Sequence, residues 1–165
     1  MKKFLQCLTG AAMVLALGSF ASVEAEAARN VAKYNIQDGL GLKGYDPVAV
    51  FPEGGGKAMP GKAELRIDHE RVTYFFATPE NMKLFAQNPD KYEPTYGGWC
   101  AFAMGRKVGE PTKVDIIPTI FTLNGNRAHY FFSNRVKRDF DADVAGFESR
   151  ADANWKQYSG ESPRK

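Results

Sequence analysis

The chain has 165 residues, a length that fits one domain. Its formal net charge is +3, from 22 Lys and Arg against 19 Asp and Glu, and the basic residues form no run or helical stripe. Such a mild and dispersed charge implies neither nucleic acid nor an anionic membrane as a partner.

The first 27 residues have the pattern of a cleavable signal peptide. Lys2 and Lys3 supply positive charge, an apolar stretch follows from about Leu8 to Phe20, and a small-x-small cleavage pattern ends at Ala27. The apolar stretch is short and interrupted by Gly and Ser, which disfavours the alternative of an uncleaved membrane anchor. We therefore expect a periplasmic or secreted protein, with no membrane insertion after cleavage.

The rest of the chain divides into three parts. Residues 28–40 read as an extended lead-in, residues 41–158 as one domain, and residues 159–165 as a polar tail. Near the start of the domain, Asp46 followed by Pro47 is typical of a helix N-terminus and predicts a short helix at residues 46–51. The glycines at 54–56 then predict a loop.

An internal repeat organises this domain. Residues 65–76 read LRIDHERVTYFF and residues 121–132 read FTLNGNRAHYFF, which align at a spacing of 56 and pair Arg71 with Arg127. One deletion later, at a spacing of 55, Phe85 aligns with Phe140. Each copy predicts a strand, a tight turn, a second strand and a helix.

Turn and capping residues support this interpretation. Asn124-Gly125 is a strong hairpin dipeptide, and Asp68-His69 occupies the same place in the first copy. Thr78 and Ser133 then offer capping side chains for the two helices.

A final helix is predicted at about residues 143–158. Its apolar residues follow the 3-4-4-3 spacing of one helical face: Val144, Phe147, Ala151, Trp155 and Tyr158. The predicted fold class is α+β: a small single domain with two β-hairpin/helix repeats on a shared antiparallel sheet, plus this C-terminal helix.

The segment between the two copies carries a lone thiol. Cys7 leaves with the signal peptide, so Cys100 has no partner for an intramolecular disulfide. A single Cys in an oxidising compartment suggests a buried thiol, an intermolecular bond or a functional ligand. Gly97-Gly98 permits a sharp turn before it, and residues 101–104 predict one helical turn that Gly105 ends.

Three motifs and a segment near the end of the chain stand out: GYDPVAVF at 44–51, FFATPEN at 75–81 with Phe85, Pro89 and Tyr92, YGGWCA at 96–101, and DANW at 152–155. Together they resemble the exported subgroup of the YHS-domain family. The resemblance implies a small α+β module. Related YHS modules accompany metal-transporting pumps and metal-handling proteins, so the resemblance favours metal handling without implying an activity.

The leading hypothesis is a metal-handling or metal-sensing module with Cys100 as its principal ligand. A thiolate is a soft ligand for copper or zinc, Met104 shares its helical face, and His129 is a further donor. The chain has no CxxC or HxH pairs, so the pattern predicts a two- or three-coordinate site rather than a tetrahedral one. The alternatives are a buried apolar thiol, core packing of Met104 and a partly packed His129.

Two other functions stay open at this point. Tyr45, Asp46, Tyr96 and Trp99 could line an aromatic pocket for a small ligand or a partner protein, although Asp46 could equally be a helix cap. A thiol-dependent enzyme is the least favoured, because its base would have to be His129 or His69, and His69 is expected at an exposed hairpin tip.

Overall fold

The computed structural model describes residues 29–164, so the predicted signal peptide lies outside the described residues. Within this part of the chain, no helix has both the length and the apolar character needed to cross a membrane. Short 3₁₀ segments lie at Val31–Lys33, Gly41–Gly44 and Pro52–Gly54. The regular elements that follow are β1 (Lys62–His69), β2 (Val72–Phe76), α1 (Pro79–Gln87), α2 (Pro89–Tyr92), α3 (Ala101–Met104), β3 (Ile117–Asn124), β4 (Arg127–Phe131), α4 (Asn134–Asp141) and α5 (Val144–Ser159).

The α+β class, the two hairpin–helix units and the C-terminal helix are confirmed, but the shared sheet is not formed. Among residues 29–164, β1 pairs with β2 and β3 pairs with β4 in two separate antiparallel sheets. The second strand of each hairpin already has another neighbour. Leu40 bridges to Thr73, and the connecting segment bridges from Pro94 to Ala128 and from Cys100 to Tyr130. These bridges occupy the edges through which the hairpins would have joined.

The repeat has a spacing of 55 throughout, so the predicted spacing of 56 in the hairpins is wrong by one residue. Ile67 pairs with Tyr74 in the first hairpin, and Thr122 pairs with His129 in the second. Arg71 is therefore not equivalent to Arg127. A shift of one residue moves every strand side chain to the opposite face of its sheet, which changes the residues that correspond between the two halves.

The hairpin turns are displaced in the same way. They fall at residues 70–71 and 125–126 rather than at Asp68-His69 and Asn124-Gly125. Glu70 and Arg71 both have positive φ, at 45° and 71°, as a tight hairpin turn requires. His69 is consequently the last residue of β1 and not a turn residue.

The short helix predicted at residues 46–51 is a turn instead. Asp46 still caps it, because its Oδ1 accepts hydrogen bonds from the amides of Val48 at 2.8 Å and Ala49 at 3.2 Å. Pro52, which has no N–H to continue a helical ladder, begins a separate 3₁₀ segment directly afterwards.

Equivalent aromatic side chains form the core of the two halves. Phe76 and Phe85 have ring centroids 5.2 Å apart, and their counterparts Phe131 and Phe140 are 5.1 Å apart. Helix α5 packs a buried Trp155 against this core, and the predicted caps Thr78 and Ser133 accept bonds from the starts of α1 and α4.

Candidate metal site

Cys100 is sealed inside the protein. Its relative exposure is 0%, and it directly precedes α3. Burial raises the pKa of the thiol, although the backbone amides of Ala103, Phe132 and Phe102 hydrogen-bond to it and oppose the rise. The thiolate, which is the form that binds metals and attacks substrates, is therefore disfavoured. Within residues 29–164, Cys100 belongs to no group of three or more His, Cys, Asp or Glu ligands.

The two helper residues predicted for Cys100 have other surroundings. Met104 is fully buried in the core. His129 lies in β4 with its Nε2 2.7 Å from Oε1 of Glu148, between the rings of Tyr96 and Phe140 at 5.6 and 5.0 Å. Burial lowers the pKa of His129. The His129 ring is therefore paired with the carboxylate of Glu148 and not with the Cys100 thiol.

The four residues of the predicted pocket use their polar atoms internally or pack in the core. Besides its two capping bonds, Asp46 accepts from the amide of Ala77 and from Asn81, both at the junction of β2 and α1. Tyr96 donates to Asp152 at 2.8 Å, and Trp99 donates to the carbonyl of Lys33 at 2.7 Å. Tyr45, half-buried, packs against the core. The polar bonds of Asp46 and Tyr96 thus tie them to different halves.

A different group of ligand-type side chains meets at the end of the first hairpin. A ring nitrogen of His69 and one carboxylate oxygen each from Asp90 and Glu93 lie within 4.8 Å of one another, the only such group of three found in residues 29–164. His69 ends β1, Asp90 lies in α2, and Glu93 directly follows α2. The return of the chain after α1 brings α2 against the hairpin end.

His69 has a nitrogen available for coordination. The ring packs edge-on against Phe85 at 5.9 Å, and its Nε2 is buried with no hydrogen-bond partner in the described part of the chain. A buried polar atom without a partner is costly and calls for an explanation such as a water or an ion. Asp90 has an exposed side chain, which gives the group access to solvent.

Glu93 is buried and strongly held. It accepts hydrogen bonds from both terminal nitrogens of Arg29, from the hydroxyl of Tyr74 at 3.0 Å and from Nε of Arg164 at 3.1 Å. Burial by itself would lower the pKa of Arg29, but its bond to Glu93 and the charge of that carboxylate raise it overall. These contacts fix the position of the Glu93 carboxylate.

The surroundings of this group carry more acidic than basic side chains. Three arginines are bonded to the group or to its partners: Arg29, Arg71 and Arg164. Four carboxylates lie in the same network: Glu70, Asp90, Glu93 and Glu161. A divalent cation would therefore enter a site of net negative charge, which favours its binding.

The second half has the same framework but keeps only one of the three ligand residues. At the spacing of 55, Glu148 corresponds to Glu93, whereas Asn124 replaces His69 and Ala145 replaces Asp90. Asn124 donates to Glu148 at 3.1 Å, whereas Nε2 of His69 has no hydrogen-bond partner among the described residues of the first half. The predicted spacing of 55 after the hairpins already aligns Glu93 with Glu148, but the spacing of 56 in the hairpins did not align His69 with Asn124.

No protein-family model, no curated protein and no solved structure matches this chain. The resemblance to the YHS family therefore stays a prediction, and the chemistry of the site follows from its own residues. One imidazole with two carboxylates is a donor set that zinc and similar divalent ions accept. It does not suit Cu(I), which prefers thiolate and thioether sulfur.

Proposed function

We propose that this protein is an exported metal-handling module that binds a divalent cation of the zinc type through His69, Asp90 and Glu93. The observation that supports it is the meeting of one imidazole nitrogen and two carboxylates within 4.8 Å, with a buried Nε2 that lacks a hydrogen-bond partner within residues 29–164. The export part of the proposal depends on the signal-peptide pattern of residues 1–27.

Cys100 is a poorer metal ligand than the group at His69. A buried thiol with a raised pKa would have to lose its proton and open its packing before it could ligate. The group at His69 is more accessible, since the Asp90 side chain already reaches solvent. Three protein ligands would leave positions on the metal for water or a further ligand, which suits a carrier or sensor that must also release its ion.

Zinc binding by the mature protein, residues 28–165, tests the proposal through competition with a chromophoric chelator. The informative variants copy the second half of the molecule, with His69→Asn for Asn124 and Asp90→Ala for Ala145. Loss of a ligand should weaken zinc binding at least about tenfold in each. Cys100→Ala is the matched control and should bind zinc as the wild type does.

Circular dichroism of each variant confirms that the fold is retained. Zinc binding that is unchanged in both His69→Asn and Asp90→Ala would contradict the proposal, as would a wild-type protein that does not bind zinc. Binding lost only in Cys100→Ala would restore the thiol as the principal ligand.

A further inference from the structure

The segment that follows α5 returns to the candidate metal site. Gly160, with φ of 82°, ends the helix, and Glu161 then accepts bonds from the hydroxyl of Tyr34 at 2.6 Å and the amide of Asn30. The amide of Arg164 donates to the carbonyl of Thr95 at 3.3 Å. These bonds direct the Arg164 side chain toward α2.

Arg164 contacts both carboxylates of the candidate ligand group. Its Nε lies 3.1 Å from Oε2 of Glu93 and 3.9 Å from Oδ1 of Asp90. The Arg29 guanidinium, by contrast, is bonded to Glu93 and Glu70 and is not among the ion-pair partners of Asp90 within residues 29–164. Arg164 therefore supplies positive charge to the same two carboxylates that a cation would use.

A guanidinium and a divalent cation cannot both take the same carboxylate lone pairs. Burial by itself would lower the pKa of Arg164, but its surroundings, including the carboxylates of Glu93 and Asp90, raise it overall, so the guanidinium stays charged. Its side chain is 13% exposed, against 3% for Arg29, and residues 160–164 form no helix or strand. Of these two arginines, Arg164 is the one that can leave with less rearrangement of the core.

We propose that Arg164 is an internal competitor for the cation site, so that metal entry displaces its guanidinium from Glu93 and Asp90 and loosens the end of the segment around Arg164. This inference rests on the proposed function, because it describes how the same site is regulated. Coupling between metal binding and release of the segment is reciprocal. If metal promotes release of the segment by a given factor, release of the segment strengthens metal binding by the same factor. A partner that captured the free segment would thereby raise the affinity for metal.

Zinc titration of Arg164→Gln tests the competition. Removing the competing charge should tighten zinc binding at least about tenfold relative to the wild type. Arg71→Gln is the matched control: Arg71 donates to the backbone carbonyl of Arg29, and neither Glu93 nor Asp90 is among its side-chain partners within the described residues. A general electrostatic effect would appear in both variants, and we expect less than about a threefold change in Arg71→Gln.

Hydrogen exchange provides a second readout on the wild-type protein. Saturating zinc should speed exchange of the Arg164 amide, which bonds the carbonyl of Thr95, and leave the amides of β4 unchanged. Should Arg164→Gln fold poorly, Arg164→Lys replaces it, with a point charge that loses the fork geometry and should give an intermediate gain in affinity.

The outcomes separate this inference from the proposed function. Zinc binding in Arg164→Gln that is equal to or weaker than in the wild type, while His69→Asn still loses it, overturns the competition and leaves the metal site standing. A comparable gain in Arg71→Gln also overturns it. Absence of zinc binding in wild type and Arg164→Gln alike removes the metal site and the inference together.

Discussion

Burial sets the protonation state of two core residues, Cys100 and His129. Burial raises the pKa of Cys100 and lowers the pKa of His129, so both side chains stay neutral near neutral pH. His129 nonetheless contacts a charged group, because Glu148 accepts a hydrogen bond from its Nε2. Burial alone would raise the pKa of Glu148, but the hydrogen bonds from His129 and Asn124 and the charge of Arg127 lower it overall. Because the buried imidazole is neutral, its protonation at low pH should lower the free energy of unfolding.

His129 should make the protein less stable as the pH falls below about 6.5. The imidazole has a lowered pKa in the folded state, so the unfolded chain binds the proton more readily. Its contribution is complete above the ordinary pKa of 6.5 and is lost as the pH falls toward the lowered value. Urea unfolding at about pH 7.5 and about pH 5.5 measures this loss.

The control for this prediction is His129→Gln, which keeps a polar side chain but cannot titrate. Its free energy of unfolding should change less between the two pH values than that of the wild type. The carboxylates that face the ring, Glu148 and Asp152, are retained in both proteins, so an equal pH dependence would assign the effect to them and contradict the role of His129.

The connecting segment between the two halves depends on glycine at the turn before Cys100. Gly97 has φ of 57°, and a Cβ there would lie 2.6 Å from Cη2 of Trp155. Gly125, in the turn between β3 and β4, has nearly the same φ of 59°, but a Cβ added there would meet no atom within 4 Å. The two glycines therefore separate backbone strain from close packing.

Gly97→Ala should destabilise the protein more than Gly125→Ala. The strain of positive φ costs about 1 kcal/mol in either position. The contact with Trp155 adds about 1–3 kcal/mol at Gly97 alone, because the indole is buried and cannot move aside freely. Urea unfolding of both variants measures the difference. Equal losses would show that α5 yields to the added methyl group.

Across the whole molecule, Glu93 joins parts of the chain that are far apart in sequence. Its carboxylate binds Arg29 near the start of the described residues, Tyr74 in β2 and Arg164 beyond α5. The corresponding Glu148 in the second half binds His129, Asn124 and Arg127, all within one hairpin. The first carboxylate thus holds long-range contacts, and the second holds local ones.

Glu93→Gln should cost about 3–5 kcal/mol of unfolding free energy, because it leaves the buried charge of Arg29 with only the exposed carboxylate of Glu70 as an ion-pair partner among the described residues. Glu148→Gln is the matched control and should cost less, since Arg127 keeps Asp152 at 2.5 Å and the Glu148 side chain is 14% exposed. Chemical denaturation of the metal-free proteins measures both. An equal or larger loss in Glu148→Gln would contradict the assignment of Glu93 as the long-range tie.

The elements could be predicted from local sequence signals, whereas the register could not. Thr78 and Ser133 cap their helices as predicted, and α5 runs over Val144–Ser159 against a prediction of about 143–158. Capping bonds and helical spacing involve residues three or four apart, so they can be read along the chain. The hairpin spacing of 56 failed because Tyr-Phe-Phe recurs one residue away from the paired positions.

The sequence by itself determined the α+β class, the two hairpin–helix units and the C-terminal helix, because hydrophobic spacing, turn residues and caps act locally. Only the tertiary structure decided that Cys100 is sealed and that His69 meets Asp90 and Glu93. Burial and the approach of a strand end to a later helix depend on how the aromatic core packs. That packing is a property of the whole chain, and no short segment of it carries the information.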